Sequence, residues 1–255
     1  MKIVSLVPSL TELVCELGLG AHLVGRTGYC IHPAQTVAGV PKVGGTKTVN
    51  LKKIRELAPT HVILNKDENR LEDADALKAF VPNLVVTHPL VAADNLAVYQ
   101  QFGEVFNCHA RAEELAQQFS NELALCRAQA WVTKKVLYLI WKSPWMTVSQ
   151  PTYIASMLRE IGLEVVGPTE NEIGVELPRY PQFESQHAAA WNADAILFSS
   201  EPYQFSASDF GDTTDWASGR VPRSLIDGEM LSWYGPRAIA GLRYLRKFRH
   251  DLFEK

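Results

Sequence analysis

The chain opens with KIVSLVPSLTELVCELGLG, residues 2–20, and this stretch sets the fold class. Residues 2–6 are typical of a short β-strand, and Pro8 follows them almost at once. Ser9 and Glu12 have the spacing of a capping box, which predicts a helix that reaches about Gly18. The apolar face of this helix is formed by Leu10, Leu13 and Leu17. A strand followed directly by an amphipathic helix indicates an α/β fold.

The same alternation continues through the first hundred residues. The patterns predict strands at residues 22–25, 61–64 and 83–87, and helices at residues 51–57, 73–80 and 92–106. Connections this short between strands and helices favour a parallel sheet. We therefore expect residues 1–107 to form an N-terminal α/β lobe.

A single long helix is predicted to follow this lobe, over residues 108–131. Its apolar or small positions step by three or four and form one stripe: Cys108, Ala112, Leu115, Phe119, Leu123, Cys126 and Ala130. At 1.5 Å per residue such a helix would be roughly 36 Å long. We expect it to link the N-terminal lobe to a second lobe and to fix the orientation of the two.

Strands and helices resume after the long helix. The patterns predict strands at residues 135–141 and 195–199, and helices at residues 152–161, at residues 183–191 and from Pro236 onward. Residues 132–255 are therefore expected to form a C-terminal α/β lobe with its own parallel-type sheet and flanking helices.

Composition narrows the classes of protein that the chain can belong to. The 255 residues are 47% apolar and 21% charged, with a net charge of -3, which describes a chain able to bury an ordinary core. No dense stripe of lysine and arginine is present, so a nucleic-acid partner is not expected. No apolar run approaches the roughly 20 residues of a membrane-spanning helix.

The N-terminus and the cysteines bear on location. The first residues have no long apolar region and no cleavage site, so the chain as it stands is expected to be cytoplasmic; a periplasmic protein whose leader has been removed is the alternative. Cys15, Cys30, Cys108 and Cys126 are scattered without a CxxC pair, which argues against zinc and favours buried free thiols over disulfides.

Candidate ligand-binding residues lie in loops that follow predicted strands, where binding groups commonly sit. In the N-terminal lobe these are Tyr29, Cys30, Gly45, Asn69 and Arg70. The ring of Tyr29 suits a flat amphipathic guest, and Gly45 lets the backbone approach it. A metal site or a Cys-His nucleophile at Cys30 and His32 would need a third partner, and the local sequence offers none.

In the C-terminal lobe the candidates are aromatic. Trp145 and Tyr203 are expected on loops at strand ends, and Trp233 and Tyr234 on an exposed loop before the final helix. Several rings facing one cleft would bury a large planar ligand well. Arg220, Arg223 and Arg237 are candidates for contacts with anionic groups of such a ligand, and surface ion pairs explain them equally well.

Four blocks carry a family resemblance: IVSLVPSLTELVCELGLGAHLVGRTGYCIHP (3–33), VGGTKTVNLKKIRELAPTHVIL (43–64), SPWMTV (143–148) and SWYGPR (232–237). Together they resemble the class III substrate-binding proteins, which bind cobalamin and ferric siderophores. The resemblance implies two α/β lobes bridged by one helix, with a corrinoid or iron-siderophore ligand in the cleft and no covalent cofactor. It also implies docking to an ABC permease through one acidic residue per lobe. Glu72 is the first candidate; SWYGPR holds no acid, which leaves Glu229 upstream for the second.

The function expected from this resemblance is binding of a metal chelate rather than catalysis. The chain has no GxSxG, P-loop, HExxH or long GxGxxG signature. The alternative is a cytoplasmic relative that acts on a metal chelate as an enzyme or a chaperone.

Overall fold

The computed structural model describes residues 1–170, 176–216 and 221–254. Contacts divide the chain into two compact units, neither of which is one continuous stretch. Unit 1 consists of Met1–Pro89, Asp94–Phe119 and Trp233–Arg237. Unit 2 consists of Leu90–Ala93, Ser120–Ser232 and Ala238–Lys255. The three-part division expected from the sequence stays a prediction.

Unit 1 is built on a parallel sheet of four strands in the order β2-β1-β3-β4. The strands are β1 Ile3–Ser5, β2 Leu23–Arg26, β3 His61–Asn65 and β4 Asn83–Thr87. The helices are α1 Pro8–Glu16, α2 Ala34–Val37, α3 Leu51–Leu57, α4 Leu71–Lys78 and α5 Asn95–Phe106. Short 3-10 turns lie at Gly20–His22 and Ala92–Asp94. The predicted α/β class is confirmed for this unit.

One local prediction in unit 1 is wrong. The N-cap of α1 is Val7, which makes no side-chain cap, so Ser9 lies inside the first turn and the capping box does not form. Pro8 starts the helix instead, because its ring fixes φ near the helical value and its missing N–H is not needed there. The core beneath the helices is formed by Val4, Leu6, Val43, Ile54, Val62, Leu64, Leu77 and Val81.

The long helix α6 spans His109–Arg127, and the division between the units falls inside it, after Phe119. Its apolar stripe is buried from Ala112 to Cys126, as predicted. The helix ends four residues before the predicted end. The indole Nε1 of Trp131 donates to the carbonyl of Cys126 at 2.8 Å, and this bond closes the C-terminus.

Unit 2 has a sheet of six strands. They are β5 Lys134–Trp141, β6 Trp145–Thr147, β7 Leu163–Val165, β8 Gln182–Phe183, β9 Ala195–Ser199 and β10 Arg223–Ile226. Strands β7, β5, β9 and β10 are parallel, whereas β6 pairs antiparallel with both β5 and β8. The unit is α/β, with a mixed rather than a purely parallel sheet.

The helices of unit 2 flank this sheet. Among the described residues they are α7 Tyr153–Arg159, α8 Gly228–Ser232 and α9 Pro236–Phe253, with 3-10 helices at Ser185–Trp191 and Ala207–Trp216. The helix predicted over residues 183–191 is thus a shorter 3-10 helix, because Phe183 belongs to β8. Within the described residues no helix is long and apolar enough to span a membrane.

Candidate ligand-binding site

Three loops meet at the carboxyl edge of the unit 1 sheet. The loop after β2 is joined to the loop that precedes α3 by a hydrogen bond from Gly28 N to Gly44 O at 2.8 Å. That second loop is joined to the one after β3, because Lys47 Nζ donates to Asp67 O at 2.7 Å. Parallel strands bring their following loops to one edge, and here hydrogen bonds fix these loops to each other.

Tyr29 and Ile31 are two exposed apolar residues of the loop after β2. The side chain of Tyr29 is 65% exposed and that of Ile31 is 50% exposed. Gly45 lies under the Tyr29 ring, since a Cβ placed on Gly45 would be 3.5 Å from Cε2 of the tyrosine. The structure therefore brings together two residues that the sequence predicted for ligand contact. We call Tyr29, Ile31 and Gly45 the Tyr29 surface.

Cys30 lies in the same loop but points the opposite way. Its side chain is fully buried, with Sγ 3.1 Å from Thr27 Oγ1 and 3.8 Å from Ser5 O. Burial raises the pKa of the Cys30 thiol above its ordinary value. The sulfur is thus a protonated internal anchor of the loop, and no part of Cys30 is exposed on the Tyr29 surface.

Asn69 and Arg70 follow β3 and differ in their surroundings. Asn69 is buried and links three chain segments: Oδ1 accepts from Asn65 N at 2.8 Å, and Nδ2 donates to Leu6 O at 3.3 Å and Thr46 O at 3.1 Å. Its amide supports the edge from below. The guanidinium of Arg70 is largely exposed and lies 3.6 Å from the carboxylate of Glu72.

Trp233 and Tyr234 are part of unit 1 rather than of the exposed loop that the sequence predicted. The side chain of Trp233 is only 8% exposed. Its ring makes an edge contact with His32 at 5.5 Å between centroids, and the guanidinium of Arg237 lies over it at 4.8 Å. Trp233 therefore packs against the loop that carries Tyr29.

Two of the three candidate arginines form structural contacts, and the third, Arg220, lies outside the described residues. Arg237 pairs with both oxygens of Glu12 at 2.8 and 2.9 Å. Arg223 donates to Thr213 Oγ1, Thr213 O and Val221 O at 2.7 to 3.1 Å. In both residues the guanidinium group binds other groups of the protein.

In unit 2, Trp145 belongs to an aromatic cluster and not to a loop. It is the first residue of β6 and meets the ring of Trp216 at 4.7 Å in a T-shaped contact. It also stacks on Phe205 at 6.1 Å. The expectation of a loop failed because β6 is only three residues long and has no detectable period.

Tyr203 does lie in the loop after β9, as predicted, and packs against Trp141 with the ring centroids 5.7 Å apart. Trp141 is 38% exposed at the end of β5. Sequence reasoning missed Trp141 because it assigned the residue to the strand without asking which face it occupies. Trp141 and Tyr203 form the aromatic surface of unit 2, which we call the Trp141 surface.

Polar groups flank the aromatic residues in unit 2. Lys142 Nζ lies between two carboxylates, 2.8 Å from Asp209 and 2.6 Å from Asp212. The hydrogen bonds that the Lys142 ammonium donates to these carboxylates raise its pKa. A cavity of about 590 Å³ also lies in unit 2, lined by residues such as Val148, Gln150 and Trp191. None of the predicted site residues lines it.

The acids that the resemblance assigns to docking lie at the starts of helices. The side chain of Glu72 is 75% exposed in the first turn of α4. Glu229 lies in the first turn of α8 and is partly buried. Among the described residues, no group of three or more His, Cys, Asp or Glu side chains is placed to hold a metal ion.

Comparison with known families assigns the chain. The family described as periplasmic binding protein matches residues 3–219, so the chain belongs to this family of ligand-binding proteins.

Three similar proteins agree with this assignment. The chain is 32% identical, over 48% of its length, to an uncharacterized ABC transporter substrate-binding lipoprotein, YvrC, of Bacillus subtilis. It is 28% identical, over 64% of its length, to a vitamin B12-binding protein of Photorhabdus laumondii. These alignments cover 39% and 59% of the two relatives, so the chain spans less than two thirds of each. The fold also matches the periplasmic heme-binding protein BhuT in complex with two hemes, with a TM-score of 0.83, 17% identity and 98% of both chains covered.

These relatives bear on location. They include a lipoprotein and a protein described as periplasmic, and the family carries the same description. The comparisons therefore do not support the cytoplasmic expectation and favour its alternative.

Proposed function

We propose that this chain is the substrate-binding protein of an ABC transporter and binds a metal chelate of the corrinoid type. Cobalamin is the first candidate ligand. The observation that carries the proposal is the Tyr29 surface. An exposed tyrosine and an exposed isoleucine, two positions apart in the chain, lie among loops that hydrogen bonds join at the carboxyl edge of a parallel sheet. The vitamin B12-binding relative supports the choice of ligand.

The chemistry of the Tyr29 surface suits such a ligand. A corrin has a broad apolar face with amide groups at its rim, and a tyrosine ring offers both apolar area and a polar hydroxyl. Gly45 lets the Tyr29 ring pack directly on the backbone, and the charged groups of Lys47 and Arg70 belong to the same group of loops. Because the loops are fixed to each other, little ordering entropy would be lost on binding.

The Trp141 surface of unit 2 is the second candidate contact. Trp141 and Tyr203 present an aromatic pair, and Trp145, a little further along the chain from Trp141, packs internally. We assign ligand contact in unit 2 to Trp141 and Tyr203, with Trp145 in support.

The test is a titration of purified protein with cyanocobalamin, followed by calorimetry and by the visible spectrum. Tyr29→Ala should weaken binding at least tenfold, because a central aromatic contact contributes about 1.4 kcal/mol or more. Tyr180→Ala, at another exposed tyrosine, is the matched control and should leave the affinity unchanged. Cyanocobalamin that fails to bind the wild-type chain would refute the corrinoid assignment.

Heme is the second candidate ligand. The heme-binding protein BhuT has the same fold, and the exposed phenol of Tyr29 has an oxygen that can bind ferric iron. Heme and a ferric siderophore should be titrated in parallel. Tyr29→Phe separates the cases, since it would remove an iron-phenolate band but would change corrinoid binding little.

The same mixtures test the catalytic alternative. A binding protein should return the chelate unchanged, whereas an enzyme acting on it would release the metal or modify the ring. Mass spectrometry of the ligand after overnight incubation distinguishes the two outcomes.

We further propose an exported location and an ABC permease as partner. The exposed acid of Glu72 supports docking in unit 1, and Glu229 is the counterpart proposed for unit 2. Charge reversal by Glu72→Lys should lower chelate uptake by proteoliposomes that contain a cobalamin permease, without changing chelate affinity. Equal uptake by both proteins would remove Glu72 from the docking assignment.

A further inference from the structure

We infer that Arg26 is a positioning residue for the Tyr29 surface, which it holds in a ligand-ready arrangement from beneath. The inference rests on the proposed function for the meaning of that surface. Arg26 is the last residue of β2, and its side chain is buried, with 6% of the residue exposed. It does not belong to the predicted ligand-contacting set.

The guanidinium of Arg26 binds the loop at three backbone positions. Nε donates to Val37 O at 2.8 Å, and Nη1 donates to Cys30 O at 3.0 Å and to Thr27 O at 3.2 Å. These carbonyls flank Tyr29 on both sides and also reach α2, which starts after the loop. One rigid side chain therefore fixes the beginning, the middle and the end of the segment 27–37.

The backbone of Arg26 extends this attachment to the next segment. Its N–H donates to Pro41 O at 3.0 Å, and its carbonyl accepts from Val43 N at 2.8 Å. Val43 lies two positions before Gly45, the glycine under Tyr29. The residue thus connects both segments that form the Tyr29 surface.

Electrostatics indicates that this arrangement is specific for arginine. In the described part of the chain the guanidinium bonds to the three carbonyls and to no carboxylate. A buried cation compensated only by carbonyl dipoles is expensive, so its partners must be well placed. The planar fork of arginine can reach separate carbonyls at fixed angles, whereas a lysine ammonium is a single point donor.

The aim of the Tyr29 ring depends on this backbone. The side chain is mostly exposed, and its own backbone N–H bonds only locally, to Thr27 Oγ1 at 3.3 Å. The loop has a second attachment through His32, which packs on Trp233. Loss of the Arg26 fork should therefore loosen residues 27–31 without detaching the whole loop.

The experiment compares Arg26→Lys with Arg223→Lys, which removes a similar carbonyl-binding fork from unit 2. Hydrogen exchange of the amides in residues 27–37 should accelerate at least tenfold in Arg26→Lys and should stay unchanged in Arg223→Lys. This measurement needs no ligand. Unchanged exchange in the Arg26→Lys loop would overturn the inference.

A double-mutant cycle with cyanocobalamin then tests the action through Tyr29. Arg26→Lys should weaken binding about tenfold in the wild-type background and less than twofold in the Tyr29→Ala background, because coupled residues are not additive. Equal effects in both backgrounds would overturn the positioning role.

Two further outcomes are distinguishable. If the wild-type chain binds no chelate, the proposed function fails, while accelerated exchange would still support Arg26 as the residue that orders the loop. If Arg26→Lys does not fold, Arg26→Gln takes its place. Failure of both variants to fold would show a requirement for the whole unit and would overturn the local role.

Discussion

The phenol of Tyr234 donates a 2.9 Å hydrogen bond to the carboxylate of Glu68, a residue 166 positions earlier in the chain. Neighbouring bonds fix the same segment, since Gly235 N donates to Asn95 Oδ1 at 2.7 Å and Tyr99 Oη donates to Gly235 O at 2.8 Å. The segment Trp233–Arg237 is thus built into unit 1 through side chains that recognise its backbone. Its rings contribute to the stability of the unit that presents the Tyr29 surface.

This bond predicts a specific response to alkaline pH. Burial, and next to it the charge of Glu68, raise the pKa of Tyr234 well above its ordinary value. A group with a raised folded-state pKa stabilises the fold below its unfolded pKa of about 10, and this contribution is lost as pH rises further. The free energy of unfolding should therefore fall above pH 10, by up to about 1.4 kcal/mol per pH unit for this tyrosine.

Tyr234→Phe should remove that part of the slope and should cost about 1 kcal/mol at neutral pH, because the hydrogen bond to Glu68 is lost. Urea titrations between pH 8 and pH 11 measure both quantities. Tyr29→Phe, at an exposed tyrosine, is the control for stability and should leave the alkaline slope as it is. A slope identical in wild type and Tyr234→Phe would contradict the prediction.

The parts of the fold that the sequence predicted well are those with a clear period. Helix α3, strands β4 and β9 and the start of α9 lie where the patterns predicted them. The stripe along α6 is buried as expected from Ala112 to Cys126, because five apolar or small positions on one helical face leave little freedom. Strands β6 and β8 were missed, because two or three residues cannot display a period.

The site was only partly predictable, for a different reason. The contact between Tyr29 and Gly45 was foreseeable, because loops after parallel strands converge at one edge. The sequence could not place the polar atoms of Asn69 and Cys30, which bond to nearby backbone and side chains. The part that these four residues play in ligand binding stays a prediction. Trp233 joins unit 1 through contacts more than a hundred positions apart in sequence, which no local pattern records.

The aromatic cluster of unit 2 predicts losses of stability of different size for two tryptophans. Trp145→Ala should lower the free energy of unfolding by about 3 kcal/mol, because its ring packs on Trp216 and Phe205. Trp141→Ala should lower it by less than about 1 kcal/mol, because that ring is more exposed. Thermal unfolding with calorimetry checks the ranking, and a larger loss for Trp141→Ala would reverse our assignment of the surface and interior rings.

Glu122 predicts a response to acid. Burial alone would raise its pKa, but hydrogen bonds from Arg243 and Arg246 outweigh that effect and lower the pKa below its ordinary value. The stabilisation is therefore present above the unfolded pKa of about 4.3 and is lost as pH falls through the lower, folded value. Glu122→Gln should destabilise the fold by about 2 kcal/mol at pH 7. It should also reduce the further loss in the free energy of unfolding as the pH falls, which we call the acid limb.

Glu114→Gln is the matched control for Glu122, since it breaks an exposed pair with Arg111 on the same helix. It should change stability by less than about 0.5 kcal/mol. Denaturant titrations from pH 3 to pH 7 measure how the stability of each variant depends on acid pH. An acid limb unchanged in Glu122→Gln would show that other carboxylates dominate acid unfolding.

The four cysteines are free thiols, and their environments predict a definite order of reactivity. Cys30 and Cys126 are buried, so a disulfide reagent should not reach them in the folded protein. Burial, then the charges of Glu12 and Glu16, raise the pKa of Cys15 to about 11, which leaves roughly one thiol in a thousand ionised at pH 8.

Cys108 should therefore react first, and Cys108→Ser should abolish the fast phase of labelling at pH 8. In denaturant all four thiols should react, and rapid native labelling of Cys30 would show that the loop beneath Tyr29 opens readily.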